Sequence, residues 1–317
     1  MNKIYSVLFT LLIFLSDIHA GNLTALKSVE PDSLIAARED SITFKVPLAE
    51  GGLRDSAEIT PWHQMVTRLP EDYYSFFKKS FSTSALPIIA GLAAATGALM
   101  IADEPLGSWS HSMVNRSDNY NHLSDIMVKT GDGRYHFLLA GALSLYGLSA
   151  GDERALKTAG NLAEGILASG IMVQVLKRIT GRQSPEVSSN DAGEWRLFPN
   201  PSKYQKNQPR YYAFPSGHIT TAALTFTVLA NNYPEYKWIR PAGYIVLGGL
   251  GLGLMSKGMH WASDFPLGVL IGYTFGNIVA PENGEVKGEK GRENKGGFSV
   301  LPFYSPSYSS VSLLYSF

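Results

Sequence analysis

Two histidines in short polar motifs have the chemistry needed to act on a phosphate group. His218 lies in the segment F-P-S-G-H-I, and His260, 42 residues later, begins the segment H-W-A-S-D. An imidazole titrates near neutral pH, so each ring can attack as a nucleophile or transfer a proton. Asp264 follows His260 by four residues, a spacing at which its carboxylate can hold one ring nitrogen as N–H. We therefore take His260 as the candidate nucleophile and His218 as the candidate general acid.

The residues just before His218 predict an anion site at the start of a helix. Ser216 follows a proline and precedes a long apolar run, which is typical of a helix N-cap. Gly217 then falls in the first turn, where the absence of a side chain lets an oxyanion approach the backbone. The unpaired N–H groups and the dipole at a helix N-terminus favour a negative ligand. Ser216 and Gly217 are thus predicted to bind phosphate beside His218.

A basic segment upstream supplies positive charge. Lys177 and Arg182 lie at the predicted end of a helix, with Gly181 as its C-cap and Pro185 beyond it. Lysine and arginine suit a phosphoryl group because its equatorial oxygens carry negative charge throughout transfer.

These three segments, in this order, resemble the signature motifs of the type 2 phosphatidic acid phosphatase and vanadium haloperoxidase superfamily, over roughly residues 80 to 281. The resemblance implies an all-α fold, a helical bundle of about six core helices. It also implies that His260 attacks phosphorus and becomes phosphorylated, that His218 protonates the leaving group, and that Asp264 orients His260. The phosphate would be held by Lys177, Ser216 and Gly217. The family's phosphatases need no metal or other cofactor, whereas its haloperoxidases hold vanadate in the same pocket.

The sequence departs from the family pattern at two positions, and each departure removes an arginine. Counting from the motif residues, Ser184 and Leu254 stand where the family has guanidinium groups. Serine offers one hydrogen bond and leucine none, and a lost charge-assisted contact costs about 1.5–3 kcal/mol. Arg182 and Lys257 are the predicted substitutes as phosphate ligands, and activity depends on whether they replace the missing contacts.

Each motif alone also fits a purely structural role, as a proline turn, a capped histidine or a basic helix end. Their conjunction favours a site, and three functions remain open. The first is a phosphatase acting on a phosphomonoester or lipid-linked phosphate. The others are a vanadate-dependent haloperoxidase and a phosphate- or phospholipid-binding domain without turnover. The expected partner is a phosphorylated small molecule or phospholipid; 27 basic and 27 acidic residues give no electrostatic case for nucleic acid.

The N-terminal segment predicts export. Residues 1–20 combine Lys3, an apolar stretch and a small residue at Ala20, as in a secretory signal peptide. The chain has no cysteine, so disulfides do not stabilise it. We expect a protein of the periplasm or cell envelope of a Gram-negative bacterium, in contact with its membrane. Only the apolar run from Ala85, at 18 residues, approaches the length of a span, so a soluble or membrane-peripheral protein is favoured over a six-span one.

Hydrophobic runs separated by polar turns divide the mature chain. We predict an irregular segment over 21–80, a phosphatase-like helical domain over 81–281, a flexible Gly-, Lys- and Glu-rich linker over 282–297, and a β-hairpin over 298–317. The predicted helices are Ala85–Ala102, Tyr135–Ala150, Ala155–Lys177, His218–Asn231, Pro241–Met255 and Phe265–Ala280. The aromatic-rich segment Glu186–Ala213 joins the first two motifs, either as a surface loop or as a wall of the pocket.

Overall fold

The structure of the protein is a computed structural model. It describes residues 46–47, 53–54, 62–188, 190, 192–281, 298–305 and 308–315. The predicted signal peptide at residues 1–20 and the predicted linker at residues 282–297 lie outside the described residues.

The described residues form a predominantly α-helical fold, as predicted. Its helices are α1 Trp62–Thr67, α2 Leu69–Ser80, α3 Leu86–Arg116, α4 Asp118–Lys129, α5 Gly133–Ala150, α6 Glu153–Thr180, α7 Pro201–Lys206, α8 Gly217–Asn232, α9 Ile239–Ser256 and α10 Phe265–Val279. Two strands, β1 Val46–Pro47 and β2 Leu53–Arg54, pair antiparallel. The predicted C-terminal hairpin is present as β3 Phe298–Ser305 against β4 Tyr308–Tyr315.

Helices α3, α5, α6, α8, α9 and α10 correspond to the six predicted ones, and α3 departs most from its predicted bounds. The prediction ended it at Ala102, where charged residues and then Pro105 interrupt the apolar run. The structure continues this helix through Pro105 to Arg116. The first of the charged residues, Asp103, is buried and ion-paired, so tertiary contacts offset the local signal to stop.

Part of the segment predicted to be irregular is also helical. Helix α2 has a proline in its first turn, together with Glu71 and Asp72, and Lys78 and Lys79 in its last turn. This arrangement of charge complements the helix dipole. Phe76, on its buried face, stacks on Phe275 of α10 with ring centroids 4.7 Å apart, so packing selects the helix.

The predicted helix ends next to the motifs are confirmed. Ser216 caps α8 by accepting a hydrogen bond from the N–H of Ile219 at 3.5 Å. Gly181 caps α6 in the left-handed conformation, with φ of 55°, which glycine adopts without steric cost. The short 3-10 turn Ala262–Asp264 then leads into α10.

The core forms where α6, α8 and α10 pack together, and its buried side chains include Leu162, Leu224 and Phe275. A stripe of glycines at every fourth residue of α10 lets it approach α8 closely. A Cβ atom at Gly268 would lie 2.8 Å from the carbonyl oxygen of Ser216, and one at Gly276 would lie 2.7 Å from Cβ of Thr227. Small residues at such spacing allow close contact of helix backbones. This contact brings the start of α8 against the start of α10.

Three of the described helices are long and apolar enough to cross a membrane, judged by length and composition: α3 with its preceding turn, α6, and α9. None of the residues in the most apolar stretch of α3 is buried within the protein. The sequence indicated a single 18-residue run, so the described helices have more capacity to span a bilayer than was predicted.

Candidate active site

The three motifs converge at one end of the bundle. Lys177 comes from the last turn of α6, Ser216, Gly217 and His218 from the start of α8, and His260 from the segment after α9. The imidazole rings of His218 and His260 face each other with centroids 6.1 Å apart. Both rings are thus within reach of one phosphoryl group.

His260 and Asp264 form a buried pair. Nδ1 of His260 lies 3.5 Å from Oδ2 of Asp264, and neither side chain is exposed. This distance is at the limit of a hydrogen bond, and the backbone of Ala213 also approaches the ring. Burial lowers the pKa of His260, while the Asp264 carboxylate opposes part of that shift. A neutral imidazole has a free lone pair on one ring nitrogen, so it is a competent nucleophile.

His218 has an environment that disfavours its charged form. Burial lowers its pKa to about 4, and the nearby His260 and Lys177 lower it in the same direction. A phosphate dianion in the pocket would oppose the charge of Lys177 and favour the imidazolium form of His218. His218 would then hold a proton for the leaving oxygen.

The phosphate-binding groups predicted from the motifs are adjacent to these rings. Lys177 is buried; its ammonium donates to the carbonyl oxygen of Tyr212 and lies 4.8 Å from the centre of that ring. The N–H of Thr220 donates to the carbonyl of Ser216 at 3.1 Å as the first intrahelical bond of α8. The N–H groups of Gly217 and His218 precede that bond, so they are available to an anion.

Arg182 is in the same cluster, but its guanidinium is bound by protein groups. It donates to Asp264 at 2.6 Å, Asp103 at 2.8 Å and the hydroxyl of Ser263 at 2.7 Å. Two further bonds, at 3.2 and 2.6 Å, go to the carbonyl of Ala192. These five bonds use every N–H donor of the guanidinium. A role for Arg182 as a phosphate ligand remains a prediction, and it would require exchange of one of these partners.

The other predicted substitute, Lys257, is directed toward α4. Its ammonium lies 2.7 Å from Oδ1 of Asp125 and also donates to Asn121. At the two positions without arginine, the Ser184 hydroxyl donates to the carbonyl of Pro209 at 3.0 Å, and Leu254 is fully buried in an apolar cluster. Packing thus fills the sites where the resemblance expects guanidinium groups.

The segment Glu186–Ala213 contributes a wall of the site through its last residues. The ring of Tyr212 meets that of His260 edge-on, with centroids 6.1 Å apart. Burial raises the pKa of Tyr212 to about 12. In the same segment Arg196 is ion-paired with Glu194 at 2.6 Å.

Two contacts of the site were not found from the sequence. Asp103 of α3 binds Arg182. The sequence feature that could have indicated this contact is the charged pair Asp103 and Glu104, which interrupts an apolar run. Gly131, between α4 and α5, packs on His218, where an added Cβ would lie 2.8 Å from the histidine Cβ. Nothing in its local sequence marks that contact. Across the described residues, no group of three or more His, Cys, Asp or Glu has the arrangement of a metal site.

Comparison with known proteins gives three similarities. The sequence profile of the PAP2 superfamily matches residues 158–282, which contain all three motifs. A lipid A 1-phosphatase from Rhizobium johnstonii is 26% identical over 172 residues, 50% of this chain and 66% of that protein. The chain therefore spans slightly less than two thirds of that relative. A lipid A 1-phosphatase from Rhizobium etli is 25% identical over 195 residues, 57% of this chain and 77% of that protein.

One solved structure is also similar, a transmembrane PAP2-type phosphatidylglycerolphosphate phosphatase from Bacillus subtilis. It is 14% identical, with 68% of this chain and 94% of that chain covered, at a TM-score of 0.39.

Proposed function

We propose that the chain, whose residues 158–282 match the PAP2 superfamily, hydrolyses a lipid-linked phosphate monoester through a phosphohistidine at His260. One observation carries the proposal. The buried imidazole of His260 lies 3.5 Å from the Asp264 carboxylate, and its ring centroid is 6.1 Å from that of His218. That is the arrangement of a nucleophile, its orienting group and an acid.

In the first step, Nε2 of His260 attacks phosphorus, and a P–N bond forms as the P–O bond to the lipid alcohol breaks. His218 gives its proton to the departing oxygen. Asp264 accepts a hydrogen bond from the Nδ1–H of His260, which keeps its proton, and stabilises the positive charge that develops on the ring. The Lys177 ammonium and the N–H groups at the start of α8 bind the phosphoryl oxygens, whose charge they stabilise in the transition state.

In the second step, water attacks the phosphorus of the phosphohistidine. His218, now neutral, accepts a proton from that water, and the P–N bond breaks to release phosphate and restore His260. Each histidine therefore returns to its starting protonation state, and the cycle needs no metal or other cofactor.

The proposed substrate class is a phospholipid or another lipid carrying a terminal phosphate. Two relatives are lipid A 1-phosphatases, and the exposed apolar stretch of α3 suits lipid rather than water. Lys177 lies three residues before the end of α6, and His260 lies four residues beyond the end of α9. If these helices cross a bilayer, the site lies near its surface, at the level of lipid head groups. We propose a membrane-associated enzyme of the cell envelope, with export through the predicted signal peptide.

A second candidate, a phosphate-binding domain without turnover, is favoured by one specific observation. Arg182 and Lys257 are both engaged by carboxylates, while Ser184 and Leu254 are packed. The pocket thus has fewer positive groups than the family pattern provides, which would weaken transition-state stabilisation more than binding.

The test is phosphate release by the purified full chain in detergent micelles. Phosphatidic acid, lipid A carrying its 1-phosphate and p-nitrophenyl phosphate are the probes, with His260→Ala as the inactive variant. His122→Ala, at an exposed histidine on α4, is the matched control. We expect release by the wild type and the control only, with radioactive phosphate trapped on His260.

Full release by His260→Ala would refute the assigned nucleophile. Phosphate binding without release by the wild type would select the binding domain. Turnover that requires vanadate, peroxide and halide would select the haloperoxidase chemistry instead.

A further inference from the structure

Helix α3 brings a buried carboxylate to the site from outside the segment that matches the family. Asp103 is 1% exposed and lies 55 residues before the first matched residue, at 158. It is in the second half of a helix whose first half is apolar and unburied. A buried carboxylate in such a helix is energetically costly unless it is paired, so its partners indicate why it is there.

Those partners are Arg182 and the turn that carries the catalytic pair. Oδ2 of Asp103 accepts a bond from Arg182 at 2.8 Å and one from the Ser263 hydroxyl at 2.5 Å. Oδ1 accepts the backbone N–H of Ser263 at 2.9 Å. Ser263 lies in the 3-10 turn between His260 and Asp264. Asp103 therefore binds the turn both directly and through the arginine.

The charges of this cluster explain the need for a second carboxylate. Arg182 binds both Asp103 and Asp264, and all three side chains are fully buried. With Asp264 as its only partner, the guanidinium would neutralise the carboxylate that must act on His260. Asp103 supplies a second negative charge, so the group of three carries one net negative charge beside the imidazole. Electrostatic effects of this kind are strong where water is excluded.

We infer that Asp103 is a positioning residue for the reaction, which fixes the 3-10 turn and balances the charge of Arg182 so that Asp264 remains an effective partner of His260. The inference rests on the proposed phosphatase function. The inference also predicts a change in the pKa of His260, which can be measured without turnover.

Removal of the Asp103 charge should lower the pKa of His260, because one negative charge near the imidazolium is lost. The titratable and charged groups that face His260 are Asp264, Lys177 on α6, His218 on α8 and Tyr212, and Arg182 reaches the ring only through Asp264. All of these groups remain present when Asp103 is substituted. The nucleophile must be neutral to attack, so the acid limb of kcat/KM should move to lower pH.

The experiment compares the wild type, Asp103→Asn and Glu104→Gln as full chains in phosphatidic acid micelles. Glu104 is the adjacent acid on α3, but it is exposed and accepts a bond only from Ser108 among the described contacts. Its substitution removes the same charge without affecting Arg182. For Asp103→Asn we expect kcat to fall on the order of 100-fold, with KM within about twofold and the acid limb at lower pH. We expect Glu104→Gln to match the wild type.

The pKa of His260 is measured in parallel by NMR of 15N-histidine-labelled protein without substrate, and we expect it to be lower in Asp103→Asn than in the wild type. An unchanged pKa together with an unchanged kcat would overturn the inference. An inactive wild type would refute the proposed function, and the pKa comparison would then decide the role of Asp103 alone.

If Asp103→Asn does not fold, Asp103→Glu decides, since it keeps the charge but moves it. The inference expects its acid limb to stay in place while kcat falls at least about tenfold. A limb moved to lower pH, or an unchanged kcat, would contradict the inference.

Discussion

The backbone N–H of Ser216 donates to the carbonyl oxygen of Asp264 at 3.0 Å. This bond joins the predicted phosphate cradle of the second motif to the candidate pair His260 and Asp264 of the third. It depends on the close approach of α8 and α10, which glycines of α10 permit. The distance between the two histidines is therefore determined by helix packing.

Substitution of Gly268 tests that dependence. An added Cβ would lie 2.8 Å from the carbonyl oxygen of Ser216, which is backbone and cannot move alone. We expect Gly268→Ala to destabilise the fold by about 1–3 kcal/mol and to reduce turnover more than substrate binding. Thermal unfolding and phosphate-release kinetics measure both effects. Gly248→Ala on α9, where an added Cβ meets nothing within 4 Å, is the control and should be neutral or slightly stabilising. Equal stability and equal turnover of the two variants would contradict the dependence on close packing of α8 and α10.

The orienting carboxylate can be tested with an isosteric change. In Asp264→Asn the side chain keeps its shape but no longer stabilises the imidazolium of His260. By analogy with other acid–histidine pairs, we expect kcat to fall on the order of 10⁴-fold. The rate of phosphate release at saturating substrate measures kcat, and circular dichroism checks that the helices persist. Asp118→Asn, at the exposed start of α4, should leave kcat unchanged. A loss of less than about tenfold in Asp264→Asn would exclude the assigned role.

The proton on His218 should depend on phosphate. In the empty site its pKa is lowered to about 4, so the ring is neutral at pH 6. Bound phosphate favours the imidazolium, and NMR titration of labelled histidine should show a higher pKa with phosphate than without. The lowered pKa also makes the free energy of unfolding depend on pH. The unfolded chain binds this proton near pH 6.5, whereas the native empty protein binds it only near pH 4. The contribution of His218 to stability is thus complete above pH 6.5 and is lost as the pH falls toward 4. A pKa unmoved by phosphate would mean that the ligand does not contact this ring.

Arg182 should contribute strongly to the stability of the fold, because it is a buried cation shared by two carboxylates. Its substitution by methionine leaves Asp103 and Asp264 buried without their shared cation, and we expect a loss of about 3–5 kcal/mol. Arg178→Met is the matched control, since Arg178 is exposed and bonds to Gln174 on its own helix. Its loss should stay below about 1 kcal/mol. Thermal unfolding in the same detergent compares them. If Arg182→Met unfolds like the control but loses phosphate affinity, the arginine is a ligand rather than a structural ion.

Local patterns predicted the parts of the fold that depend on neighbouring residues. The caps at Ser216 and Gly181 followed from residue type, since a serine oxygen can accept a helix N–H and glycine adopts positive φ without strain. Helix α4 and the second half of α3 were missed. Their polar and proline-containing sequences are held in helices by contacts with other helices.

Residue type and spacing alone pointed to the candidate residues for the chemistry. Lys177, His218, His260 and Asp264 were found by type and spacing, because short-range order within a motif is carried by the chain itself. The tertiary structure decided how the positive groups are used. It pairs Arg182 with two carboxylates and directs Lys257 to α4. It also brings Asp103 to the turn Ala262–Asp264 from 160 residues away. Such pairings depend on which buried charges meet once the helices pack, and no local pattern in the chain encodes that meeting.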